Sequence, residues 1–168
     1  MIVAKRILLC LAHMSGNEMK YIQEAFDTNW VVPLGPNVDG FEHDLEAFVG
    51  QNKQVVALSS GTAAVHLALI ACGVQAGDEV MVQSFTFCAS SHPVTYLGAT
   101  PVFVDSERDT WNMDPVLLDE AIADRIAKTG RKPKAIIPVY LYGMPGKIKE
   151  ILAVAAKYGI PVIEDAAE

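Results

Sequence analysis

LSSGTAAVHLALIACG, residues 58–73, carries the reading of the fold. A short apolar approach ends in Ser59-Ser60-Gly61-Thr62, and the run that follows is apolar on every side except at His66. That pattern predicts a buried helix from Thr62 to Cys72, with its N-terminus deep in the fold. Unpaired N–H groups and the helix dipole favour an anion there, and Gly61 leaves room for close approach, so a phosphate fits. The same residues also suit a plainer role, in which Ser59 or Ser60 caps a core helix and His66 is a core or interface histidine. Neither GxxxxGK[ST] nor GxGxxG occurs in the chain, which argues against the common nucleotide loops.

The runs VVAL, EVMV, PVFV, AIIPV and IPVI along the chain are short, apolar and rich in β-branched residues. Each gap between them is long enough for a helix. Helices are predicted at 62–72, 89–97, 115–128 and 145–158, with Asp114-Pro115 as an N-cap and first-turn proline. Parallel strands need such crossovers, which bury both faces, so the expectation is an α/β fold with a mostly parallel, doubly covered sheet. Ahead of it, SGNE at Ser15–Glu18 has capping-box spacing and predicts a helix to Asp27; the proline- and glycine-rich segment around 30–40 breaks it, and Phe41, Leu45 and Phe48 announce a second. The domain expectation is an N-terminal helical segment, 1–50, and an α/β domain, 51–168.

The chain has 168 residues, 51% of them apolar, enough for a sizeable core. Its net charge of −7, with basic residues scattered apart from Lys128–Lys134, gives no footprint for nucleic acid or an anionic membrane, so a small-molecule partner is expected. Cys10, Cys72 and Cys88 form no CxxC pair and leave an odd count, arguing against a disulfide framework or a zinc site and for a reducing, cytoplasmic setting. Lys5-Arg6 followed by ILLCLA is too short an apolar run for a signal peptide.

Two further stretches carry chemistry. QSFTFCASSHP places Phe85 and Phe87 after the EVMV strand, at the carboxyl end of the sheet where ligands bind; they stack on a flat ring or belong to the core. VIEDAAE delivers Glu164 and Asp165 to the same end. A carboxylate after an apolar strand requires a cation or a donor, and an aspartate facing a protonated ring nitrogen meets that need. A solvated turn or a metal ligand is the alternative, but no His or Cys cluster accompanies it. Glu107 is expected in a loop.

A Gly-Thr turn, an aromatic one strand later and a Glu-Asp after a further strand occur in that order. With HMSGNE, AFDTNWVVPLGPNVDGFE, SSGTAAVHLAL, GATPVFVDSERDTWNMDP and PVIEDAAE, the chain resembles the DegT/DnrJ/EryC1/StrS pyridoxal-phosphate aminotransferases, in the branch that serves exopolysaccharide synthesis. The resemblance implies the N-terminal part of the aspartate-aminotransferase-like (type I) fold and pyridoxal 5'-phosphate as cofactor. It also implies a nucleotide-linked keto sugar and an amino-acid donor, glutamate, as substrates, and a homodimer when complete. By the same resemblance Gly61, Thr62 and Ala63 hold the cofactor phosphate, Phe87 stacks on the ring, Asp165 pairs with the ring nitrogen, and Glu168 lies beside the cofactor where the family often has Gln or His.

The family's Schiff-base lysine lies downstream of the Glu-Asp, and none of the nine lysines here matches it. The chain therefore reads as the N-terminal part of an enzyme, inactive alone. Rival readings are a sugar dehydratase of the same family, in which histidine replaces that lysine, a non-catalytic cofactor- or partner-binding chain, and an unrelated nucleotide-binding domain.

Overall fold

A computed structural model describes residues 12–50 and 52–168; Lys5-Arg6 and all but the last residue of ILLCLA lie outside them. The chain divides into two compact units, one ending at Ala57 and one spanning Leu58–Glu168.

In the first unit the helices are α1, Glu18–Asp27, and α2, Pro36–Val49, and neither buries a residue. Only half of the expected capping box forms. Glu18 reaches back to the amides of Ser15 (2.6 Å) and Gly16 (2.9 Å), but Asn17 occupies the cap position and Ser15 Oγ accepts from Asn17 instead. The Glu18 carboxyl is held down at about 2, first by its own backbone amide and then by the amide and hydroxyl of Ser15. The VVAL run is not a strand. Glutamates of α2 take its amides, Val55 N–H donating to Glu46 (3.1 Å) and Ala57 N–H to Glu42 (2.7 Å), so no ladder is left to form.

The second unit is α/β with a parallel sheet. It contains α3 (Gly61–Ala71), β1 (Glu79–Gln83), α4 (His92–Tyr96), β2 (Thr100–Val104), α5 (Pro115–Thr129), β3 (Ala135–Ile137) and α6 (Ile148–Tyr158). The strand order is β2-β1-β3, and both pairings are parallel. IPVI, expected as a strand, meets β3 only through an isolated bridge, Ile136 to Val162, and a second, Val139 to Asp165, follows beyond the ends of both. Pro138 sits between those bridges and has no N–H to donate, which interrupts the ladder.

Alternation along the strands splits the core in two. Val80, Val82, Ala135 and Ile137 pack with Val65, Leu69 and Val94 of α3 and α4; Met81 and Ile136 pack on the other face with Leu118, Ile122, Ile151 and Ala155 of α5 and α6. Helices cover both faces at β1 and β3, as expected, whereas the edge strand β2 leaves Phe103 exposed on one face. Asp114 caps α5 through the amides of Val116 (2.7 Å) and Leu117 (3.3 Å), and Gly130 ends the helix in the left-handed region. At the amino end of the sheet Arg125 grips Glu79 with two hydrogen bonds (2.6 and 2.9 Å).

Three helix expectations change. The predicted 89–97 helix is a single 3-10 turn, Cys88–Ser90, followed by α4, because Pro93 opens a new helix rather than continuing one. α6 starts at Ile148, after Pro145 and Gly146. α3 is not buried all round: Val65 and Leu69 are covered, while Leu67 and Ile70 are exposed. Its N-terminus is accordingly not deep, and Ser59, Ser60 and Gly61 are open to solvent.

Candidate functional site

The carboxyl ends of β1 and β3, the N-terminus of α3 and the 161–168 tail enclose a cavity of about 240 Å³. Five of the six residues singled out from sequence line it: Gly61, Thr62, Phe87, Asp165 and Glu168. Ala63 does not; its amide donates to Ser60 Oγ (3.2 Å), the side chain that caps α3. Capping leaves the amides of Gly61 and Thr62 with no acceptor among the described residues. A Cβ built on Gly61 meets nothing within 4 Å, so the approach to that helix end is open.

Phe87 is 75% exposed and therefore is not a core residue. Phe85 is not one either, at 47% exposed, and the two phenylalanines part company because β1 ends at Gln83 before them. Phe85 meets Trp111 edge to face, ring centroids 6.3 Å apart, beside a second cavity of about 510 Å³ at the end of β2, which Arg108 also lines.

Asp165 Oδ2 accepts from Ser90 Oγ at 2.6 Å, and Ser90 Oγ lies 2.8 Å from Thr86 Oγ1. Asp165 Oδ1 has no donor among the described residues. Ser90 is buried, so the hydroxyl pair fixes the carboxylate from behind. Glu164 turns aside to accept from the Tyr140 hydroxyl, whose pKa is pushed up to about 12 by burial first and by that carboxylate second. Ser90, Thr86 and Tyr140 were missed in sequence; the signal for the first two was a pair of hydroxyls four residues apart around a 3-10 turn. No lysine lines the cavity among the described residues, nor is there a metal-holding cluster.

Glu107 does lie in a loop, but it is a buried organiser of it. It accepts from Thr110 Oγ1, the amides of Asp109 (2.8 Å) and Thr110 (2.7 Å), and Lys147 Nζ (2.9 Å). The Thr110 hydroxyl and Lys147 lead in holding its carboxyl at about 2. Helix-end amides, an aromatic face and a fixed carboxylate around one cavity suit a planar ligand with a phosphate at one end and a cationic ring atom at the other.

EpsN of Bacillus subtilis (strain 168), named as a pyridoxal phosphate-dependent aminotransferase, is 52% identical over 164 residues, covering 98% of this chain and 42% of EpsN. GDP-perosamine synthase of Caulobacter vibrioides is 42% identical, covering 97% of this chain and 42% of the synthase. The chain thus spans about two fifths of the length of these curated relatives. The PMP form of Spr1654 from Streptococcus pneumoniae, described as a sugar aminotransferase, superposes with a TM-score of 0.85 at 30% identity, covering 98% of this chain and 43% of that one. Residues 12–168 match the DegT/DnrJ/EryC1/StrS aminotransferase family, and the chain belongs to it.

Proposed function

We propose that this chain is the cofactor-binding part of a pyridoxal-phosphate aminotransferase that moves an amino group from glutamate to the keto group of a nucleotide-linked sugar used in cell-surface polysaccharide. The observation that carries this reading is the convergence of the Gly61 and Thr62 helix-end amides, the Phe87 ring and Asp165 on one cavity. The residues fit the cofactor on three grounds of their own. Among the described residues, two helix-end N–H groups have no acceptor and suit a phosphate, the exposed Phe87 face suits the ring, and Asp165 has one oxygen tied to Ser90 and one without a donor.

When bound, pyridoxal phosphate supplies an electron sink for the carbon that gains or loses the amino group. Thr62 and Gly61 would anchor the phosphate, Phe87 would stack on the ring, and Asp165 would hold a proton at the ring nitrogen; Glu168 also lines the cavity. The donor, the nucleotide-linked sugar, a homodimeric assembly and a cytoplasmic setting belong to the same reading. The relatives support the sugar class: one is a GDP-perosamine synthase and another, from Pseudomonas aeruginosa, a UDP-2-acetamido-2-deoxy-3-oxo-D-glucuronate aminotransferase. No helix among the described residues is long and apolar enough to cross a membrane.

The test is titration of the purified chain with pyridoxal 5'-phosphate, followed by circular dichroism of the bound chromophore. Saturable binding that competes with inorganic phosphate is expected. Absence of any induced signal overturns the reading.

A further inference from the structure

Gln83 and Asn112 are polar residues in the core, at 0% and 1% exposure, and nothing in the cofactor reading uses them. Gln83 is the last residue of the central strand. Its Nε2 donates to Phe85 O (2.9 Å) and Asn112 Oδ1 (3.1 Å), and its Oε1 accepts from the amides of Met113 (2.9 Å) and Val139 (3.2 Å). Asn112 Oδ1 also accepts from the Leu141 amide (3.1 Å), and its Nδ2 donates to Met144 O (2.7 Å). The backbone partners fix both amide orientations, because an N–H can face only the oxygen and a carbonyl only the NH₂.

These bonds join three loops that leave the carboxyl end of the sheet. Their effect is sharpest at residues 139–141, which form a wall of the cavity. Three successive amides of that wall are held in turn: Val139 by Gln83, Tyr140 by the backbone carbonyl of Asp165 (3.1 Å), and Leu141 by Asn112. The wall and the Asp165 segment are therefore one hydrogen-bonded piece, anchored in the core by two side-chain amides. Apolar residues of similar volume would fill the space but would hold no backbone group in a chosen direction.

We propose that the Gln83–Asn112 pair positions the 139–141 wall against Asp165 and so sets the cavity to receive its ligand; only the last step rests on the cofactor reading. Both are positioning residues, since neither lines the cavity. Without the pair the wall samples displaced states, and affinity falls by the fraction of molecules in which it is correctly set.

The experiment is residue-resolved native hydrogen exchange on the 168-residue chain, with pyridoxal 5'-phosphate titrations on the same samples. Asn112→Ala removes the acceptor of Leu141. Exchange at Leu141 should accelerate about tenfold or more relative to Val80–Val82, and cofactor affinity should fall about tenfold. Asn112→Asp keeps that acceptor, so protection at Leu141 should return. Gln83→Glu keeps the acceptor for Val139 but cannot donate to Asn112; it should leave Val139 protected and loosen Leu141, which serves as the test if the alanine variant does not fold. Uniform acceleration throughout the sheet, or unchanged exchange at Leu141, overturns the proposal. Cofactor bound equally by wild type and Asn112→Ala overturns it too, and spares the cofactor reading. Selective loosening of Leu141 in a chain that binds no cofactor supports the positioning of the wall and removes the cofactor reading instead.

Discussion

Asp165 and Glu107 are both acids in loops, yet their surroundings give them opposite duties. Asp165 keeps an oxygen without a donor among the described residues and faces a cavity, so Asp165→Ala should weaken pyridoxal-phosphate binding about ten- to a hundredfold, the worth of one charge-assisted hydrogen bond, with only a small drop in melting temperature because Thr86 still partners Ser90. Titration and thermal melts on the same variant check both parts; Glu120→Ala, on the exposed side of α5, is the control that should change neither. Glu107 is saturated by its loop and by Lys147, so Glu107→Ala should cost about 2 kcal/mol of stability, read by urea unfolding. Its folded pKa of about 2 lies below the ordinary 4.5, so its contribution is present above pH 4.5 and is lost as pH falls from there toward 2. Glu107→Gln should flatten the fall in stability across that acid window. Nothing in the residue order around ERDTWN announces this burial, because it depends on Lys147 arriving from a distant loop.

At the scale of elements, capping is the local device that can be separated from function. Ser60→Ala and Asp114→Ala should each cost about 1 kcal/mol, but only the change at Ser60 should alter phosphate affinity, because only α3 opens onto the cavity. Competition between inorganic phosphate and the cofactor would show the difference. The parallel sheet was legible in sequence because EVMV, PVFV and AII are short apolar runs rich in β-branched residues and separated by gaps long enough for a helix, a signal carried by the runs and their spacing. VVAL has the same composition and no strand: the glutamates that take its amides belong to α2, and no property of the run itself reveals them. The site was legible as far as turn chemistry and aromatic placement reach, which covers Gly61, Thr62, Phe87 and Asp165. Ser90, Gln83 and Asn112 were not, since a buried hydrogen bond between distant residues leaves no periodic trace.

Over the whole molecule, apolar surface left uncovered is the dominant liability. Leu67 and Ile70 on α3 and Leu34 and Phe48 in the first unit are all exposed, and the last two are 70% and 87% so. Concentration-dependent self-association is expected in sedimentation velocity, and Leu67→Ser with Ile70→Ser should reduce it; a wild-type chain that sediments as a single monomer at every concentration would contradict this. Because no described lysine lines the cavity, borohydride treatment of the cofactor-loaded chain should leave no stoichiometric pyridoxyl-lysine, which intact-mass measurement would read. The grip of Arg125 on Glu79 sits at the sheet end away from the cavity and is ionic and partly open to solvent, whereas the 139–141 wall hangs on neutral amides inside the core. Dissolved salt therefore acts as a selective dial: it slackens the amino end of the sheet and leaves the cavity wall in tune.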